Sequence, residues 1–132
     1  MYNRIILVGR LTKDPETKYT PSGTLVSTFR LASGRKYTDK NGEMQEETLF
    51  INVIVWGSRG NLAKNVSEYL RKGSLVLVEG RLRVRDYETA DGLKKQAIEV
   101  VADNIKFLSK KPETEEVSEE SEVVVDEEIP ID

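Results

Sequence analysis

Phe50 and Trp56 are the side chains of this sequence whose type and spacing point most directly to binding chemistry. Both fall in TLFINVIVWG (residues 48–57), which reads as a strand. Successive strand side chains point to opposite faces, so Phe50, Asn52, Ile54 and Trp56 share one face. Leu49, Ile51, Val53 and Val55 share the other, which is aliphatic throughout and suits a core. The first face suits a core poorly, because it holds an amide and the only tryptophan. At about 3.3 Å per residue its rings stand roughly 20 Å apart, a platform on which flat ligands can stack. Asn52 and Ile54, between the rings, could face such a ligand or a neighbouring subunit.

Cations interleave with further rings. Arg81, Arg83, Arg85 and Tyr87 alternate along one predicted strand, and Arg35 and Lys36 precede Tyr37. Arg30 lies on the wetter side of another strand, and Lys94 and Lys95 follow a turn. Rings offer π-faces that every base can use, and cations follow phosphates. The candidate stacking residues are therefore Tyr37, Phe50, Trp56 and Tyr87. The candidate backbone contacts are Arg30, Arg35, Lys36, Arg81, Arg83, Arg85, Lys94 and Lys95. Each feature alone has a plainer reading, since a strand aromatic is commonly packing and alternating arginines commonly protect an edge. Their convergence on one predicted side favours nucleic-acid binding.

Enzyme chemistry finds no foothold. Histidine and cysteine are absent, which excludes imidazole and thiolate sites, zinc among them. There is no glycine-rich phosphate loop, nucleophile motif or calcium-loop spacing. Glu46 and Glu47 are adjacent and would point to opposite strand faces, so they are not an acid–base pair. No enzyme activity and no cofactor are expected. No apolar run approaches 18 residues, so no membrane span is expected. The N-terminus shows no signal-peptide pattern, and a cytoplasmic, nucleoid-associated protein is expected.

The net charge of −3 hides a division. Residues 1–108 carry 18 Lys/Arg against 13 Asp/Glu, a net of +5, while residues 109–132 carry 2 Lys against 10 Asp/Glu, a net of −8. A basic body can attract a polyanion that an acidic tail repels or competes with.

The elements that must position these residues follow from pattern. RIILVGRL (4–11) is a short apolar strand, broken by Lys13-Asp14-Pro15; Pro21-Ser22-Gly23 is a turn. From Thr24 to Ser33, Leu25, Phe29 and Leu31 face one way and Val26, Thr28 and Arg30 the other. Gly34–Glu47 is a polar protruding loop or hairpin, with both Asn41 and Gly42 tolerant of positive φ. TLFINVIVWG is the third strand. Ser58–Lys72 changes period: Leu62, Val66, Tyr69 and Leu70 form one helical face, with Ser58 or Asn61 as cap, Gly73 at the C-terminus, and Arg71 and Lys72 in the last turn. In the fourth strand, Ser74–Tyr87, Val76, Val78, Leu82 and Val84 make the core face and Gly80 allows a bulge. Lys94–Leu108 returns as the fifth, in which Ile98, Val100 and Ala102 alternate before the pattern blurs. The order implies an all-β protein with one helix: a five-stranded Greek-key OB-fold barrel with its helix between strands three and four. A split sandwich is the structural rival. Residues 1–108 form this domain, and residues 109–132 a disordered acidic tail.

NRIILVGRLTKDPE, TPSG, SEYLRKGS and VEGRLRVRDYE together resemble the bacterial single-stranded-DNA-binding protein family, over about Asn3 to Phe107. The resemblance implies an OB-fold homotetramer that wraps single-stranded DNA without strong sequence preference and serves replication, recombination and repair. Its stacking aromatics match Tyr37, Phe50, Trp56 and Tyr87. Some members carry tryptophan at the Phe50 and Tyr87 positions, where this chain has smaller rings, and phenylalanine is common at the Trp56 position. The family's tail ends in a hydrophobic tip that recruits replication and repair enzymes. Here the matching residues are Asp126, Glu127, Glu128, Ile129, Pro130, Ile131 and Asp132, with Ile131 in place of the family's aromatic and Asp132 after it. A protein-assembly module and an RNA binder on the same fold are the alternatives.

Overall fold

The computed structural model describes residues 1–109. Its elements are β1 (Ile5–Leu11), β2 (Glu16–Tyr19), β3 (Leu25–Thr38), β4 (Met44–Trp56), a 3₁₀ turn (Gly57–Arg59), α1 (Leu62–Tyr69), β5 (Leu75–Glu88) and β6 (Lys94–Phe107). The strands lie in the order β1-β5-β6-β4-β3, and β1 closes on β3 through Arg10–Ala32 and Leu11–Leu31. The result is the expected five-stranded barrel with its helix between the third and fourth barrel strands, here β4 and β5. The one parallel pairing sets Asn52, Val53 and Ile54 of β4 against Glu99, Val100 and Val101 of β6.

The short β2 adds a sixth strand at the edge of β3, pairing Glu16–Tyr19 with Leu25–Thr28. The sequence reading left it as a connection. All four of its residues are exposed, so it has no apolar alternation to betray it, and only its ladder to β3 makes it a strand.

Inward parity along each strand fills the barrel. Phe29 and Leu31 of β3, Ile51, Val53 and Val55 of β4, Val76 and Val78 of β5, and Val100, Ala102 and Ile105 of β6 form one cluster with Ala63, Val66 and Leu70. Each fully buried Val or Leu contributes about 1.5–3 kcal/mol relative to exposure. Ser27 is the polar member of this layer, and its Oγ donates to the Ala63 carbonyl at 2.8 Å, tying β3 to the helix.

Four expectations need correction. The helix is shorter than Ser58–Lys72. A 3₁₀ turn precedes it, the chain is interrupted at Gly60, and Leu70 is already extended as it inserts into the core. Asn61 is the N-cap without a side-chain bond, and Gly73 belongs to the following turn rather than to the helix end. Arg71 does serve the last turn, donating to the carbonyls of Leu70 (2.7 Å) and Ser67 (3.3 Å). Leu82, Val84, Ile98 and Leu49 have core parity but are exposed, because the β3–β4 and β5–β6 hairpins run on past the barrel wall. In the β3–β4 turn Gly42 has φ 80° and Asn41 is not left-handed. The Asp39 carboxylate instead accepts the N–H groups of Asn41 and Glu43, each at 2.9 Å.

The bulge expected at Gly80 is present. The register shifts between Glu79 and Gly80, so that Asp103 of β6 becomes the extra residue between Ala102 and Asn104. A Cβ at Gly80 would lie 2.1 Å from the Val101 carbonyl oxygen. The same bulge explains the blurred β6 pattern. Core parity is even up to Ala102 and odd at Ile105.

Candidate nucleic-acid interface

The outer face of β3, β4, β6 and β5 carries most of the residues singled out above. Register sets four side chains in one row across it: Arg30 opposite Asn52, Asn52 opposite Glu99, and Glu99 opposite Arg83. Phe50 lies on one side of this row along β4 and Ile54 and Trp56 on the other, with the parity that the sequence implied. A groove of about 540 Å³ runs over this face, walled by Lys13, Glu16 and Lys18 of the β2 region and lined by Ile54, Trp56 and Glu99 among others. Ile54 is its buried floor and Trp56 is half-buried, while Phe50 is about half exposed farther along the strand. Asn52 and Ile54 thus face the groove.

Tyr87 stands at the far end of the β5 face, beside Lys94 and Lys95 of the facing strand, where a second concavity opens at the hairpin tip. Tyr37 is different. It pairs with Gln45 on the opposite parity from Arg30 and Phe50, so the β3–β4 ribbon presents it on its other side. Three of the four rings share one face, and Tyr37 extends the set around the edge of the hairpin.

The cations are not equivalent. Glu99, only 3% exposed, receives Arg83 Nη2 at 2.9 Å on one carboxylate oxygen and Arg85 Nε and Nη2 at 3.0 Å on the other. Burial pushes the Glu99 carboxyl up, but the hydrogen bonds from Arg85 and Arg83 outweigh it and hold the group below its ordinary value. The Glu99 hydrogen bond in turn raises Arg85. Arg81 is 3.6 Å from Asp103, and Arg35 is 3.1 Å from Glu47. Arg30 donates weakly to Asn52 Oδ1 at 3.4 Å. Among the described residues, Arg30, Lys36, Lys94 and Lys95 make no ion pair.

Three guanidinium groups lie over rings: Arg30 over Phe50 at 5.5 Å, Arg35 over Tyr37 at 4.7 Å, and Arg85 over Tyr87 at 5.5 Å. The sequence reading missed Glu99, Lys18 of β2 and Lys13 before it. A lone carboxylate between Ile98 and Val100 in an apolar run was the available signal for Glu99, since such a group needs partners. Among the described residues no cluster of His, Cys, Asp or Glu suited to a metal occurs, and no helix is long and apolar enough to cross a membrane. The tail residues Asp126–Asp132 lie outside the described residues.

Known proteins resemble this chain in sequence and in structure. The chain is 48% identical over 111 residues to single-stranded DNA-binding protein 2 of Listeria monocytogenes, covering 84% of this chain and 66% of that one. It is 47% identical over 111 residues to single-stranded DNA-binding protein A of Bacillus subtilis, covering 84% and 62%. The matched region is therefore under two thirds of each of these relatives. A solved complex of the Plasmodium falciparum SSB with ssDNA superposes with a TM-score of 0.76 at 31% identity, covering 83% of this chain and 97% of that one. The family model for the single-strand binding protein family matches residues 2–108, the whole of the barrel and both of its hairpins, and the chain belongs to that family.

Proposed function

We propose that the protein binds and protects single-stranded DNA without strong sequence preference, as a binding protein rather than an enzyme, in replication, recombination and repair. The observation that carries this reading is the shared face of Phe50, Trp56 and Tyr87, with arginines and lysines between and around the rings. Stacking on a ring is available to every base and contributes about 1–3 kcal/mol per base, so affinity needs no base-edge code. Tyr37 adds a fourth ring where the strand turns around the β3–β4 hairpin. Arg30, Arg35, Lys36, Arg81, Arg83, Arg85, Lys94 and Lys95 supply the positive field along the path.

The assembly is a homotetramer. Exposed Ile6 and Val8 on β1, and Leu82, Val84 and Ile98 on the β5–β6 hairpin, support subunit contacts, since apolar side chains grouped this way seek cover. Residues 1–108 form the DNA-binding and oligomerisation domain. Residues 109–132 form the acidic tail, whose end, Asp126–Asp132, recruits replication and repair enzymes in the cytoplasm.

Competition among a labelled oligo-dT, its RNA counterpart and a duplex of equal length tests the reading. The expected result is preference for the single-stranded DNA, with log affinity falling against log salt by about 0.7 for each phosphate neutralised. Equal affinity for duplex, preference for RNA, or affinity independent of salt would overturn it.

A further inference from the structure

The arginines over the rings carry an assignment beyond a general positive field, one that rests on the single-stranded DNA reading above. Three of the four candidate rings have a guanidinium over one face, and each guanidinium is held by an oxygen from a neighbouring strand position. Arg85 covers Tyr87 and is held by Glu99; Arg35 covers Tyr37 and is held by Glu47; Arg30 covers Phe50 and is held, more weakly, by Asn52. The Arg85 case is the most fully built. Glu99 is buried, and Arg85 gives it both Nε and Nη2 at 3.0 Å.

A phosphate that captured Arg85 would strip a partner from a buried carboxylate, so one ion pair would be exchanged for another with little gain. A guanidinium kept on Glu99 can still present its flat side to the ring, which an ammonium cannot do with the same geometry. We infer that Arg85 is a ring-backing residue rather than a phosphate anchor. Glu99 is the positioning residue that holds Arg85 against one face of Tyr87 and leaves the other face for a single base. Phosphate neutralisation then falls mainly to cations without a carboxylate partner, Lys94 and Lys95 at this end of the path.

The test compares Arg85→Ala and Arg85→Lys in the full chain, measuring oligo-dT affinity across a salt series with unfolding midpoints as control. Arg85 is about half exposed, but Arg85→Ala takes one of two partners from the buried Glu99 carboxylate, so affinities are compared at a temperature well below the lowest unfolding midpoint of the set. The inference predicts that both lose affinity by about two- to fivefold, the range of an exposed cation–π contact, with the salt slope unchanged. Lysine does not rescue, although it keeps the charge. Glu99→Gln is the second arm. Releasing the arginines steepens the slope by about 0.7 for each one that finds a phosphate. Parental affinity in Arg85→Lys with a slope reduced by about 0.7 in Arg85→Ala would make Arg85 a phosphate anchor and overturn the inference alone. Parental affinity in both Arg85 variants, or an unchanged slope in Glu99→Gln, would also overturn it. A parent chain that does not bind oligo-dT would remove the DNA reading itself, and the inference with it.

Discussion

Replacing Glu99 with glutamine should destabilise the barrel, and by an amount that depends on pH. Glu99 is 3% exposed and neutralises two arginines that are themselves 36% and 48% exposed. Removing one partner of a fully buried ion pair costs about 3–5 kcal/mol. Here the arginines can rehydrate and glutamine keeps one acceptor oxygen, so a loss of about 1–2 kcal/mol is expected. For a domain of this size each kcal/mol moves the unfolding midpoint by roughly 4–8 °C, giving a fall of about 5–15 °C at neutral pH. The sign with pH follows from the depressed carboxyl. Burial opposes ionisation, the bonds from Arg85 and Arg83 more than compensate, and the folded group titrates below the ordinary value of 4.5. The stabilisation is therefore complete above that value and is lost as the pH falls through the lower folded one. Thermal unfolding followed by circular dichroism at about pH 7, 5 and 3 should show a gap between parent and variant that is full at the first two and narrower at the third. Equal midpoints at neutral pH, or a gap that widens on acidification, would refute the reasoning.

Gly80→Ala should cost about 1–3 kcal/mol in denaturant unfolding, because its Cβ would sit 2.1 Å from the Val101 oxygen and 2.9 Å from the Ala102 Cα, both backbone. A change under about 0.5 kcal/mol would show that the bulge absorbs a methyl group freely. Ile6→Lys alters a side chain that is 54% exposed in the single chain, so the circular dichroism spectrum should be retained while the mass in solution drops below that of the parent assembly. An unchanged mass by light scattering would remove β1 from the proposed subunit contacts.

The sequence exposed those parts of the fold in which side-chain parity and burial agree. Phe50 and Trp56 were placed correctly because Ile51, Val53 and Val55 alternate with them in an uninterrupted core strand. Parity fails where a strand outruns the barrel. Leu82 and Val84 repeat the spacing of Val76 and Val78, yet nothing in the pattern marks the point at which β5 leaves the core. It fails again at β2, whose strand character comes from pairing alone. Tyr37 was grouped with the other rings by chemistry, and only the β3–β4 register shows that it lies on the opposite parity. Long-range partners were the least legible part. Arg81, Arg83 and Arg85 read as three similar cations, but the antiparallel β5–β6 ladder gives Arg83 and Arg85 to Glu99, while Arg81 meets Asp103 at the bulge.

Trp56 is the only tryptophan in the chain, it is half-buried, and it lines the groove beside Ile54. Its fluorescence is therefore a direct reporter of stacking at the β2 end of the proposed path. Titrating the parent chain with unlabelled oligo-dT at low salt should give saturable quenching that added salt reverses. Emission that stays constant while an independent assay records binding would contradict the account, because DNA would then pass without using the face on which the rings are assembled.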